Sequence, residues 1–157
     1  MTLFHPKLIA GFLAVILVVP TLAAENRPSG DLDRLQGRWT TKAGPRRNIA
    51  VILEIKEHTV QFEATTPQGL HVSIQGEVRI DESARPKRVD WVHLTALDGQ
   101  DLPDNLAIYE LDGDRFTLCN GGPNNQRPSE FKPGGGALAD VVVFTRGKDE
   151  TPTPDAR

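Results

Sequence analysis

The chain is poor in the residues that most often announce a chemistry: its 157 residues include one cysteine, one methionine, one tyrosine and two tryptophans, and aromatics make up 6%. The lone thiol, Cys119, excludes a disulfide within the chain, so stability has to come from packing. It reads as a small buried side chain ending a strand; a reactive thiol or an intermolecular bridge is the competing reading. Neither sign of charge dominates, with 18 Lys plus Arg against 21 Asp plus Glu and a formal net charge of −3. That balance gives no electrostatic footprint for phosphate backbones and no polybasic grip on anionic lipid, so nucleic acid is not an expected partner. Long apolar runs are lacking beyond residues 8–19, which fall short of the roughly 20 residues a membrane-crossing helix needs.

What is present begins with a leader. Lys7 stands ahead of the apolar run and Pro20-Thr21-Leu22-Ala23-Ala24 follows it, the order of a secretory signal with cleavage after Ala23 or Ala24. An uncleaved N-terminal anchor is the alternative. Removing residues 1–24 takes away one cation and no acid, so the remaining chain carries a net charge of −4. The expected location is therefore the periplasm or the exterior, with no transmembrane anchor after cleavage and, as no cysteine follows the run, no lipid attached there. Residues 25–30 form a polar leader, residues 31–147 one domain, and residues 148–157, KDETPTPDAR, a solvated tail with too little apolar content to pack. A domain of this size hides roughly two thirds of its unfolded surface, enough for a core.

Pro28-Ser29 can open a short helix, with Ser29 or Asp31 as N-cap and Leu32 and Leu35 on one side, stopping at Gly37. The period then changes to two. Ile49, Val51, Leu53 and Ile55, then Val60, Phe62 and Ala64, make two strands meeting near Glu57-His58, a β-hairpin. Val72, Ile74, Val78 and Ile80 alternate with polar residues, and Gly76 interrupts their apolar side, the mark of a bulge or of the bend in a closing barrel. Further strands are expected over residues 38–42, 89–96, 106–111, 115–119 and 138–146, with Asp112-Gly113 as a tight turn. Residues 120–136, rich in Gly, Pro and Asn, are the longest irregular segment. About eight short antiparallel strands and one short N-terminal helix predict an all-β fold, a closed up-and-down barrel or a flattened sandwich, with closure favoured because it removes sheet edges.

Two signatures add a resemblance. Asp31-Leu32-Asp33-Arg34-Leu35-Gln36-Gly37-Arg38-Trp39 is a helical lead-in followed by Gly-x-Trp, and the last strand ends in Arg146, which resembles the lipocalin and fatty-acid-binding barrel superfamily. The resemblance implies that Trp39, after Gly37, plugs one end of the barrel and that Arg146 lies across it, a cation–π contact worth about 0.5–2 kcal/mol. LQGRW, ARPKRVDW, IYELDGDRFTLC and RPSEF, in that order, are moreover similar to the lipocalin-like domain of many exported planctomycete proteins. That likeness spans residues 31–146 and implies fold and export, with no established activity to carry over. The chain departs from that pattern at DLPDNLA before Ile108-Tyr109, where the family tends to have glycine, so the start of this strand stays open.

The polar residues supply no enzymatic constellation. Asp112 and Asp114 flank Gly113 at a hairpin tip, where short carboxylates accept backbone hydrogen bonds and burial is too slight to shift an acid. His58, His71 and His93 fall on separate elements, so no metal or other cofactor is expected. No Gly-x-Ser-x-Gly elbow is present, and Gly134-Gly135-Gly136 lacks the Lys-Ser or Lys-Thr of a phosphate loop. Arg127 and Phe131 in the long loop could hold an anionic group, or Arg127 could pair with Asp90 or Asp114 while Phe131 lids the core. Asp90 itself reads as a turn cap or as a partner of the cations before it. Trp91 and His93 share one face of their strand in a regular alternation, and Val92 and Leu94 the other; either face could line the interior.

The expected function is thus an exported, monomeric module binding a small ligand, partly apolar or anionic, with Trp91, His93, Tyr109 and Arg127 as candidate contacts. The alternative is a protein-interaction or structural domain of the cell envelope, its barrel filled and its loops meeting another protein. A hollow interior with converging polar groups favours the first, and a packed interior with an exposed apolar loop patch the second.

Overall fold

The computed structural model describes residues 30–124, 126–134 and 140–147. The leader, the tail and the last residues of the glycine-rich connection therefore lie outside the described residues. Helix α1 (Asp31–Leu35) is followed by eight strands: β1 (Gly37–Ala43), β2 (Ile49–Lys56), β3 (Thr59–Thr65), β4 (His71–Asp81), β5 (Lys87–Ala96), β6 (Asn105–Asp112), β7 (Arg115–Asn120) and β8 (Val141–Arg146). Each strand pairs antiparallel with the next, and β8 returns to β1, giving a closed barrel. The expected all-β architecture with a short N-terminal helix is the observed one. Strand β8 starts at Val141, and the earlier part of the expected final strand, from Leu138, is outside the described residues.

Turns alternate between the two ends, which makes the ends unlike. One end carries α1 and the connections at residues 57–58, 82–86 and 113–114; the other carries those at 44–48, 66–70, 97–104 and 121–140. Gly113, with φ +53°, supplies the tight turn expected after Asp112. The start of β6 left open by sequence falls at Asn105, which pairs across to Trp91.

The α1 end is sealed. Trp39 is fully buried, stacks on Phe116 at 5.7 Å between centroids, and donates its indole N–H to Leu35 O at 2.8 Å. Burying a side chain of this size contributes up to about 4–6 kcal/mol. Arg146 lies over the Trp39 ring with its guanidinium carbon 4.2 Å from the centroid. Its nitrogens also donate to Gln36 O at 2.8 Å, Arg34 O at 2.6 Å and Asp114 Oδ1 at 2.9 Å. Gly37 enters β1 with φ +99°, a conformation that side chains resist.

The helix corrects the expected cap. Asp31 is not the N-cap: Gly30 holds that position and makes no side-chain cap bond, while Asp31 is the first helical residue and is only 4% exposed. Its carboxylate turns inward, where it accepts from Lys87 Nζ, from Tyr109 Oη at 2.9 Å and from Arg34 Nη1 at 3.0 Å. A buried charge is tolerable only when so paired. Burial acts to raise the Asp31 pKa, but the hydrogen bonds from Lys87 and Tyr109 and the charges of Lys87 and Arg34 outweigh it and hold the carboxyl below its ordinary range. Tyr109 is fully buried, and burial followed by its bond to Asp31 pushes its phenol well above the ordinary value, so it stays a neutral donor.

A second correction concerns β5. Gln75 pairs with Thr95 and Glu77 with Val92, so Gly76 faces the two residues His93 and Leu94. The extra residue of this bulge is on β5, where His93 takes φ +51°. Alternation is broken there: Trp91 and Leu94 are both buried in the core cluster, and His93 is exposed on the outer surface. Gly76 makes the bulge possible, because a Cβ there would lie 2.7 Å from Leu94 Cδ2 and 2.8 Å from Val92 O.

Two outcomes are expected of the sealed end. Replacing Arg146 by Ala removes three hydrogen bonds and the cation over Trp39, and urea unfolding should show a loss of about 2–4 kcal/mol, with Arg146→Lys recovering only part of it. Asp31→Asn should lose about 1–3 kcal/mol near neutral pH. Because the folded Asp31 pKa is depressed, the stability it contributes is complete above about pH 4 and disappears as pH falls through the folded value. Urea midpoints of the two proteins should therefore converge in acid, and an unchanged gap would refute the assignment.

Candidate ligand cavity

The end opposite α1 leads into a cavity of about 710 Å³, a size typical of small-molecule sites. Its depth is set by buried Trp91, Leu118 and Phe144, with Phe62 packed edge-on against Trp91 at 5.0 Å between centroids. Pro45, Leu102, Pro103 and Pro123, from three of the open-end loops, form its mouth. The lining is mostly apolar because the inward residues of β2, β3, β4 and β8 (Val51, Phe62, Ile74 and Val142) are aliphatic or aromatic, on β3 and β4 in alternation with polar outward ones.

A few polar groups interrupt this wall. Thr41 is satisfied, its hydroxyl donating to Val143 O at 2.7 Å. Trp91 is 1% exposed, yet its Nε1–H has no hydrogen-bond partner, and Asn105 Oδ1 on the facing residue of β6 is likewise buried without one. The other end of the Asn105 amide, Nδ2, donates to Asn120 Oδ1 at a long 3.4 Å. Among the described residues Asp140 is the sole ionisable one of the lining, and it is exposed at the mouth.

The four candidate contacts do not converge. Trp91 alone lines the cavity. His93, displaced outward by the bulge, lies 3.3 Å from Glu77 Oε2 and lines a shallow outer depression instead. Tyr109 belongs to the sealed end, held by Asp31 and packed on Phe116. Arg127 ties its loop to the barrel wall: Nη1 donates to Ala107 O at 2.7 Å and lies 2.6 Å from Asp90 Oδ1. The second contact is an ion pair whose angle is too poor for a hydrogen bond, which leaves Asp90 Oδ1 without one. Of the two readings offered for Arg127, pairing with Asp90 is the one observed.

Asn105 and Asn120 were missed by the sequence reading. A signal existed, since asparagine is depleted in strands and two of them at facing strand ends need a reason. Asp31 was missed as well, because a carboxylate at a helix start is ordinarily a surface cap. Cys119 has the bland role: burial first, with the charge of Asp140 beside it, pushes its thiol up, although its contact with Lys132 O acts the other way. Its Sγ reaches Lys132 O at 3.4 Å and Glu130 O at 3.6 Å, fastening the long loop. Among the described residues no three His, Cys, Asp or Glu side chains are placed to hold a metal ion, and no helix is long and apolar enough to cross a membrane.

Comparison with protein-family models, with curated proteins and with solved structures finds no match. Native protein should leave Cys119 unmodified by iodoacetamide over a period in which urea-unfolded protein is fully alkylated, as read by intact mass. Equal rates would contradict the burial of the thiol.

Proposed function

We propose that the chain is an exported, lipocalin-like barrel that binds a small, largely apolar molecule in the cavity at its open end. The observation that carries this reading is the cavity itself: an apolar space of about 710 Å³ with a buried, unpartnered indole N–H in a residue of its wall. Water is a poor filling for such a space, so an apolar guest gains from the area it removes from solvent. The sealing of the other end by Trp39 and Arg146 supports the same reading, since it leaves one entrance only among the described residues. Export rests on the leader pattern, and the lipocalin-like assignment on the Gly37, Trp39 and Arg146 arrangement.

A second reading, an envelope-interaction domain, draws on a separate observation. The exposed large apolar residues among those described, Leu70, Val72 and Leu97, all sit at the open end, and Leu97 N donates to Ser73 O, which ties the β5–β6 loop to the start of β4. In that reading a partner covers the mouth.

Titration with the uncharged fluorophore N-phenylnaphthylamine separates the two. One saturable site per chain is expected, and Val142→Trp, which fills the cavity from β8, should weaken binding about tenfold or more while leaving the protein folded by circular dichroism. Binding unaffected by this substitution would place the probe on the outer apolar patch and favour the second reading.

A further inference from the structure

With the cavity taken as a ligand site, the reading on which this inference rests, its polar atoms narrow the ligand. Trp91 and Asn105 are register partners across β5 and β6, so their side chains rise side by side on the inner face. One presents a donor without an acceptor, the other an acceptor without a donor, and both atoms are buried. Each such group carries a desolvation cost that is recovered when a partner arrives. The two needs are complementary to a single group that both accepts and donates. A hydroxyl does both through one oxygen, whereas an ether only accepts and a carboxylate only accepts while bringing a charge.

Charge points the same way. Among the described residues no lysine or arginine lines the cavity, and Asp140 at the mouth repels an anion. Arg46 and Arg47 on one open-end loop are exposed, and the opposite loop carries Asp98, Asp101 and Asp104. Arg127, the cation on which an anionic ligand would depend, is spent on Asp90 and Ala107 O. Both unpartnered atoms are covered, and the long 3.4 Å bond to Asn120 holds the Asn105 amide only weakly. A guest that uses the pair has to swing that amide aside.

We propose that the cavity selects an uncharged amphiphile whose apolar body carries a hydroxyl, the oxygen of which accepts from Trp91 Nε1–H and donates to Asn105 Oδ1.

Competition against bound N-phenylnaphthylamine tests this with three probes of equal chain length: decanol, decyl methyl ether and decanoate. On the unmodified protein near neutral pH, decanol should displace the fluorophore about five- to tenfold more tightly than the ether, and about a hundredfold more tightly than decanoate, which has to give up its ionisation or bury it. Trp91→Phe removes the donor while keeping an aromatic ring in the wall, so the decanol-over-ether ratio measured on that variant should fall to near one, whatever the change in fluorophore affinity. Decanoate binding as tightly as decanol, or decanol and ether binding alike, overturns the hydroxyl assignment while cavity binding stands. Failure of the fluorophore and all three probes to bind overturns both. The comparison on the unmodified chain decides the matter even if the variant does not fold.

Discussion

The barrel depends on Arg146 lying across Trp39. The seam between β1 and β8 has only two register pairs, Trp39 with Arg146 and Thr40 with Thr145, so backbone bonding alone closes it weakly. Arg146 compensates by joining elements far apart in the chain: the α1 carbonyls, the β6–β7 turn through Asp114, and the indole beneath it. A guanidinium suits this role because its planar fork can donate in several directions while its face rests on an aromatic ring. Trp39 in turn organises the aromatic packing, since Phe116 touches Trp39, Tyr109 and Phe144.

Beside this clamp stands a second polar device with a different logic. Asp31, at the start of α1, reaches Lys87 and Tyr109 on β5 and β6, while its backbone N–H donates to Glu82 between β4 and β5. The helix is five residues long and could not persist alone; it is held by what its ends bind. The two devices fix opposite sides of the same lid. Such anchoring lets the rest of the interior stay hollow, because the closure does not rely on filling the barrel from end to end.

Much of this was legible in the sequence. Alternation placed the strands, Asp112-Gly113 placed a turn, and Gly76 marked the irregularity between β4 and β5. The Gly37, Trp39 and Arg146 set was readable through a resemblance, and in the structure Arg146 lies over the Trp39 ring. What sequence could not supply was the face of β5 beyond the bulge. One extra residue at His93 reverses the alternation, and nothing local in Trp91-Val92-His93-Leu94 says on which side of it the pattern slips. The same limit applied to the site. Tyr109 and Arg127 carry the right chemistry for ligand contact, but which end of a barrel a residue occupies depends on register summed over several strands. Asn105 became visible only when the fold put it beside Trp91.

The unlike ends of the barrel have a consequence for how such a scaffold can change. Every residue of the lid lies on α1, on the short turns of one end or on the strand halves next to them, whereas the longer connections meet at the other. Lengthening, shortening or exchanging those longer segments alters the mouth of the cavity without touching the foundation, so novelty and robustness are written in separate stretches of the chain.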